Sequence, residues 1–598
     1  MGWSSFKERE KSTIVVVVTS KSPFAWHCLI LSLLCGLMFF FPIQDLPFWT
    51  KGEAREAVVV QAIVNQGNWL FPLRPSGRLP SKPPLFHWVG ALASVAYGQT
   101  TEATVRFASA LFGTLGVFLI YAMGRRMFGA DCGFWAAVIL ATSLDYQFLG
   151  VFARVDMTLT FFVTLSLVLF YFLHSGYLGG AFWQAVFYGT LGLSVLAKGP
   201  ISVVFVVLVV GLFFARDKRW SELRQFLFHR MMPLTVLIVA LWYGLAMIKD
   251  GEHFIHKQIV RENLTRFWAF GEEGARHEKP FYFYLPYLVL NGLPWTFFLP
   301  FVALDSLKRR GIAAEGHRFL VWWVIGIFLF LSAAAGKRPD YLLPLYPALA
   351  LLISQWFSRQ VEPARKSHVA FTVMAGFFLL VALFSLGLAW DFRGSPGFYF
   401  LDFLTSQLRS EDQQEVLWVR RGVAEQQWLV SSILVLFSGV SLFLSGALFK
   451  ARLQAVRLCV LVLAALGLVL GQGVFLRVIA EGKSYASFMA QVRKELDGSG
   501  KLYLYGSGFD KNQILFYQGG VVPILNISPE KLAERLRLED DLIILTEHQW
   551  NQIAADRPIS PPLVKSAGLG PDGDAPLVLI RGGGETKSLS RARLKKDA

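Results

Sequence analysis

Six short clusters of charged and proline-bearing residues stand out because their types suit one kind of chemistry. In chain order they are Trp49-Thr50-Lys51-Gly52-Glu53-Ala54-Arg55-Glu56-Ala57, Lys82-Pro83-Pro84-Leu85, Arg154-Val155-Asp156-Met157, Lys198-Gly199-Pro200, Arg276-His277-Glu278-Lys279-Pro280 and Lys337-Arg338-Pro339-Asp340-Tyr341. Gathered Lys and Arg side chains bind phosphate, Arg through a two-pronged hydrogen-bonding fork and Lys as a point charge. Carboxylates among them suit proton removal or metal coordination. The prolines after Lys82 fix the backbone and open the helix that follows. Taken singly, each cluster has a purely structural reading. Lys198 and Lys337 could reach to lipid headgroups, Asp156 could cap a helix, Pro83-Pro84 could be a turn, and His277 a hydrogen-bonded loop residue. Such charges would be scattered over both membrane faces, and acids near hydrocarbon would be avoided. Here cations and a few acids recur together.

The elements that must position them are apolar. The chain has 598 residues, 54% hydrophobic and only 17% charged, with a mean hydropathy of +0.46. Ordinary soluble proteins carry about 25% charged residues, so the composition excludes a water-soluble enzyme for most of the length, and excludes disorder. Fifty-three Phe and 18 Trp suit lipid-facing helices and interfacial belts. The fold class read from this is a polytopic α-helical membrane protein. At about 20 apolar residues per crossing, the sequence predicts about thirteen spans, near 24–42, 104–124, 132–149, 157–174, 182–197, 200–215, 233–249, 283–303, 319–335, 342–357, 369–389, 430–448 and 456–476. The short apolar stretch 84–98 is assigned to the membrane surface. The first run, beginning near Pro23, reads as a retained signal-anchor helix. Cys28, Cys35, Cys132 and Cys459 lie in or beside apolar runs without metal-type spacing and read as packing residues.

An N-in start places Lys7, Arg9, Lys11, Lys21, Arg125, Arg126, Arg216, Lys218, Arg219, Lys308, Arg309, Arg310, Arg365, Lys366, Lys450 and Arg452 inside, as the positive-inside rule expects. The net charge of +16 then reads as inner loops plus contact with anionic lipid or phosphate, with no nucleic-acid partner. Loops 43–103, 250–282 and 390–429 and the tail fall outside, and so do all six clusters. The basic residues of the first two outer loops are not demanded by topology, so a phosphate-binding cavity near the interface, and hence a lipid-phosphate substrate, is the function they suggest. Residues 1–479 form the membrane domain, with surface helices within 43–103. Residues 480–598 alternate strand-like runs (Lys501–Tyr505, Val521–Leu525, Leu542–Thr546, Leu577–Ile580) with helical ones (Tyr485–Leu496, Pro529–Leu536), which predicts a C-terminal extracytoplasmic α/β domain. Gly506-Ser507-Gly508 there reads as an ordinary strand-to-helix turn.

The ordered motifs resemble the membrane-embedded GT-C glycosyltransferases that use polyprenyl-phosphate sugars, in the branch of the lipid A aminoarabinose transferases and their protein O-mannosyltransferase relatives. The likeness runs through Gly52-Glu53-Ala54-Arg55, Lys82-Pro83-Pro84-Leu85, Arg154-Val155-Asp156-Met157, Lys198-Gly199-Pro200, His277-Glu278-Lys279-Pro280, Leu293-Pro294-Trp295 and Arg338-Pro339-Asp340-Tyr341-Leu342-Leu343-Pro344. It covers about residues 20–360. The resemblance implies inverting transfer of a sugar from undecaprenyl phosphate to a glycolipid such as lipid A, a glycan or a protein, on the periplasmic face of a bacterial inner membrane, by a monomer among membrane lipids. It implies a donor-phosphate site made of Lys82 with Arg55, Lys198, Arg276, Lys337, Arg338 and Tyr341. His277 and Glu278 would be the contacts of a divalent metal ion, if one is used. The chain departs from the family at two acids. Gly52 stands where the family has Asp, and Ser81 where its lipid A branch has Glu. Three options follow: Glu53 as the catalytic base, Asp156 in its place, or an acceptor already anionic that needs no base. Glu53 supported by Asp156 is the expected catalytic pair. A transporter or flippase of a lipid-linked sugar or anionic solute is the competing class.

Overall fold

The computed structural model describes residues 24–583 except 45, 75–78, 81, 255, 257–278, 309–314, 361–367, 395–397, 409, 497–500, 507–508, 558 and 572–575. Eight described helices are long and apolar enough to cross a bilayer: Glu102–Phe128, Val155–His174, Met232–Lys249, Glu315–Ala333, Pro339–Arg359, Val369–Asp391, Gln427–Phe449 and Leu453–Lys483. Two more crossings arise if each of two bent pairs is one span. Ala130–Ala141 with Leu144–Gly150 bends by 66°, and Phe281–Asn291 with Trp295–Lys308 by 113°. The expected count of about thirteen is not confirmed. The difference lies in the expected spans 24–42, 182–197 and 200–215. Two of these form apolar helices under 18 residues, Phe24–Phe40 and Ile201–Arg216, and the third is the 18-residue helix Ala181–Lys198, which ends on a lysine. The chain is a multi-pass membrane protein on this helical content.

Small residues let the first spans close on one another, as they do where hydrocarbon offers no hydrophobic drive for association. A Cβ placed on Gly133 would lie 2.5 Å from the Arg125 amide nitrogen and 2.7 Å from the Tyr121 carbonyl oxygen. Helices Glu102–Phe128 and Ala130–Ala141 therefore touch backbone to backbone. The former is fixed at its start by a reciprocal cap, with the Thr101 and Thr104 hydroxyls each accepting from the other's backbone N–H.

Two short helices lie between the first apolar helix and this bundle. Lys51–Gln66 begins at Thr50, whose side chain accepts from the Glu53 N–H, and stops at left-handed Gly67. Its Ala54, Ala57, Val58, Val60 and Ile63 are buried in a core shared with Phe86 and Ala91 of helix Leu85–Tyr97 and with the C-terminal domain. That domain holds a five-stranded sheet: β1 (Leu502–Tyr505), β2 (Ile524–Leu525), β3 (Leu542–Thr546), β4 (Val564–Lys565) and β5 (Leu577–Arg581), in the order β2-β1-β3-β5-β4. β1 runs parallel to β2 and β3, and β5 antiparallel to β3 and β4. The strand and helix runs expected from the sequence are present. Helices Lys511–Gln518 and Glu547–Asp556 and the two-residue β4 complete it. Gly506, at φ +80° after β1, lies against the Gln549 side chain, while Ser507 and Gly508 lie outside the described residues.

The domain is docked onto the surface helices by polar contacts. Tyr517 donates to Glu102 (3.0 Å) and accepts from the Phe48 N–H (2.9 Å), and Gln61 donates to the Phe516 carbonyl (3.2 Å). Gly133→Leu is expected to drive the two touching spans apart and to abolish a monodisperse folded peak in detergent chromatography. Leu placed at Gly129, where nothing lies within 4 Å of the added carbon but φ is +99°, should cost only the local backbone strain.

Candidate active site

The surface helix carries its charges at the end nearest the bundle. Glu53 is fully buried. One of its oxygens accepts from Arg106 Nε (2.8 Å) and from the Ala153 N–H (3.2 Å), and the other from the Thr50 hydroxyl (3.3 Å). Arg106, itself buried in a membrane helix, spends its remaining donors on the carbonyls of Leu46 (2.5 Å) and Pro47 (3.1 Å) and lies over the Phe48 ring. Glu53 is thus saturated by its neighbours and does not line the cavity described next. The residue expected as the catalytic base therefore lies outside the chamber lining, bonded to Arg106, Ala153 and Thr50. Arg106 sits inside an apolar run, away from the charged clusters. A lone Arg in such a run must have a partner, and that signal was available.

Two residues further along, Arg55 donates to Glu56 through Nε (2.9 Å), with its Nη2 2.8 Å from the same oxygen. The second Glu56 oxygen pairs with His87 Nε2 at 2.8 Å. Burial alone would push the Glu56 carboxyl up. The Arg55 charge, the His87 hydrogen bond and the more distant Arg74 charge outweigh it and hold the group well below the usual carboxylate range.

A polar chamber of about 40 Å³ is lined by Arg55, Glu56, Lys82, Arg154, Val155, Asp156, Lys198, Arg338, Asp340 and Tyr341. Five separate clusters supply them. Asp156 at the start of helix Val155–His174 pairs with Lys198 at the end of Ala181–Lys198, Nζ to carboxylate 2.5 Å. Lys198 Nζ also lies 4.5 Å from the Tyr341 ring centre, an arrangement favourable to a cation. Arg154 Nη1 donates to Asp340 (3.1 Å) and Arg338 Nη2 to the same oxygen (3.3 Å). The chamber continues into a cavity of about 100 Å³ that shares Lys82, Asp156, Lys198, Asp340 and Tyr341 but adds Leu159, Ile201, Phe205, Phe330 and Leu331. Phe330 in turn borders an open groove of about 680 Å³ walled almost wholly by Val, Leu, Ala and Pro. A charged chamber, a cavity of mixed lining and an apolar groove thus lie side by side.

Of the residues expected at a phosphate site, Arg55, Lys82, Lys198, Arg338 and Tyr341 line the chamber, with expected Asp156. Lys337 does not. It is buried, and its Nζ donates to the carbonyls of Lys279 (3.0 Å) and Ala334 (2.5 Å), closing the end of helix Glu315–Ala333. Burial pulls its ammonium below the usual lysine range. Arg276, His277 and Glu278 lie outside the described residues. Among the described residues no group of three or more His, Cys, Asp or Glu side chains is suited to a metal. Glu56, Arg154 and Asp340 join the site although the sequence singled out their clusters and not their side chains.

Residues 81–243 match the family described as dolichyl-phosphate-mannose-protein mannosyltransferase. The chain is 27% identical over 351 residues to an undecaprenyl phosphate-alpha-4-amino-4-deoxy-L-arabinose arabinosyl transferase of Enterobacter sp. (strain 638), covering 58% of this chain and 62% of that protein. It is 31% identical over 321 residues to a similarly named protein of Pseudomonas fluorescens (strain Pf0-1), covering 53% and 57%. The matched stretch thus spans less than two thirds of these relatives' length. The fold is that of the crystal structure of ArnT from Cupriavidus metallidurans bound to undecaprenyl phosphate, at a TM-score of 0.72 and 18% identity over 94% of this chain and 98% of that one.

Glu53→Ala strands the Arg106 guanidinium in the interior, which costs about 3–5 kcal/mol when one member of a buried pair is removed. Thermal melting in detergent should show a large drop, with much of it recovered in the Glu53→Leu/Arg106→Leu double variant. A catalytic base would give the reverse pattern: an unchanged melt and lost turnover.

Proposed function

We propose that this chain, a member of the GT-C superfamily of membrane glycosyltransferases that includes the lipid A aminoarabinose transferases and protein O-mannosyltransferases, moves a sugar from undecaprenyl phosphate to an acceptor of the lipid A type. The reaction takes place at the periplasmic face of a bacterial inner membrane. The observation that carries this reading is the nearness of a cation-rich chamber to an apolar groove, with a cavity of mixed lining between them. A polyprenyl phosphate is a long hydrocarbon with a charged end, and few other metabolites need both surroundings within one cavity.

The chemistry follows from charge. The acceptor oxygen attacks the anomeric carbon from the face opposite the phosphate. The bond from that carbon to the phosphate oxygen breaks, and its electron pair leaves with the lipid phosphate. Negative charge grows on the phosphate oxygens as this happens. Lys82, which lines both the chamber and the cavity below it, meets that charge near hydrocarbon, where a fixed cation acts more strongly than in water. Arg55 and Arg338, each more than a third exposed, are open enough to meet the same oxygens. Lys198 and Asp156 hold each other in place across two helices and set the cavity wall. Tyr341, whose ring faces Lys198, presents its hydroxyl as a donor to phosphate. No nucleotide is required, because the lipid phosphate is itself the leaving group.

Lys82→Ala is expected to lower kcat by about 10²-fold or more, the usual scale for losing one preorganised partner of a developing anion, with an unchanged melting curve. The assay is release of undecaprenyl phosphate from an undecaprenyl-phosphate-linked aminoarabinose in detergent or liposomes. Such release also separates transfer from transport, since a flippase leaves the donor intact. Wild-type-like turnover in the variant would sink the phosphate site.

A further inference from the structure

Three carboxylates line the chamber, and their surroundings differ. Glu56 is 2% exposed and gives one oxygen to Arg55 and the other to His87. Asp156 is 9% exposed on its side chain and held at 2.5 Å by Lys198. Asp340 is 23% exposed. Both arginines that approach it, Arg154 and Arg338, bond to the same oxygen, Oδ2. Its Oδ1 takes no hydrogen bond from the described residues. Asp340 also borders the mixed cavity below the chamber. Asp156 borders both spaces too and is bonded through Oδ1 only, but Asp340 is the most exposed of the three and so the most open to an incoming acceptor.

The orientation of Asp340 depends on a missing side chain elsewhere. A Cβ added at Gly52 would stand 2.9 Å from Arg154 Nε and 3.0 Å from its Cζ. The Arg154 guanidinium therefore fills the volume that any larger residue at position 52 would claim, and from there it reaches Asp340. The glycine at the start of the surface helix and the acid at the junction between helices Glu315–Ala333 and Pro339–Arg359 are linked through one arginine.

We propose that Asp340 is the catalytic base for this chain's transfer, with Arg154 as the residue that positions it, and that the acceptor group is therefore a neutral hydroxyl. This rests on the glycosyl-transfer reading above. The acceptor O–H bond breaks and its proton passes to Asp340 Oδ1. The oxygen's electron pair forms the bond to the anomeric carbon, while the bond to the phosphate oxygen breaks and its pair leaves with undecaprenyl phosphate. An acceptor that is already an anion, such as a phosphate, would need no such group.

The test uses the full chain in liposomes, undecaprenyl-phosphate-linked aminoarabinose as donor, and methyl α-glucoside or a lipid A phosphate as acceptor. Wild-type enzyme must release undecaprenyl phosphate in at least one arm; failure in both arms counts against the donor reading above, not against Asp340. With the hydroxyl acceptor, Asp340→Asn should lower kcat by about 10²–10⁴-fold, the usual worth of a positioned base, while donor KM and undecaprenyl phosphate binding stay within about threefold. Asp340→Glu keeps the charge that Arg154 and Arg338 face and so folds, but moves the oxygens by one methylene. It should show the same split with a smaller loss, and formate should restore part of the Asp340→Ala rate. Gly52→Ala removes no group and improves helix propensity, so its melting temperature should hold or rise. By displacing Arg154 it should still cut kcat about tenfold or more, since misplacement by about 1 Å is costly. Wild-type-like kcat in Asp340→Asn or Asp340→Glu, or transfer confined to the phosphate acceptor, would overturn the proposal.

Discussion

A guanidinium inside a membrane helix has to be satisfied, and in this protein one end of the bundle is arranged around satisfying one. Arg106 takes Glu53 from the surface helix and the carbonyls of Leu46 and Pro47 from the segment leading to it. The isolated charge would cost several kcal/mol, so the surface helix cannot leave without a large penalty. The same anchor extends further. Phe48, under Arg106, gives its N–H to Tyr517, which in turn donates to Glu102 near the start of the Arg106 helix. Bundle, surface helix and C-terminal domain are closed into one ring of polar contacts. Arg55 and Glu56 occupy their places because the helix beneath them is fixed at Glu53, two and three residues away.

That anchoring explains why the most conspicuous acid in the sequence is not in the cavity. On a helix, residues 53 and 56 are three apart and lie side by side, so either could face the chamber. Arg106 decides between them by drawing Glu53 inward. Lys337 and Arg338 are separated in the same way. The end of helix Glu315–Ala333 exposes carbonyls that need donors, and Lys337 supplies them to Ala334 and Lys279, leaving Arg338 to turn toward the chamber.

The legible part of the sequence was its order of clusters. Each lies where a helix begins or ends, which hydropathy locates well, and such ends converge in a bundle whose spans share a similar length. Lys82, Asp156, Lys198 and Tyr341 could therefore be placed together before any coordinates. The illegible part was partnership. Nothing local to Gly52 says that Arg154 will occupy its volume, and nothing local to Asp340 says that two arginines will bond to one of its oxygens. The expected number of spans exceeds the eight to ten described for a related reason: hydropathy measures how apolar a run is, so short helices like Ile201–Arg216 pass for complete crossings.

Under the proposed transfer, the charge in the chamber suits the broken bond better than the intact one. Arg55, Lys82, Arg154, Lys198 and Arg338 face Glu56, Asp156 and Asp340, an excess of two positive charges. A sugar-phosphate diester carries one negative charge. The monoester it becomes on losing the sugar carries close to two near neutral pH. A site balanced for the diester would favour the bound donor over the departing phosphate and would not speed the step. An excess of two matches the departing phosphate better than the bound donor, and in a cavity bordered by hydrocarbon that mismatch is weakly screened. The internal pairs matter here as much as the cations. By neutralising three of the five, Glu56, Asp156 and Asp340 hold the surplus near the charge of the leaving group, and they fix the remaining side chains before the phosphate begins to depart.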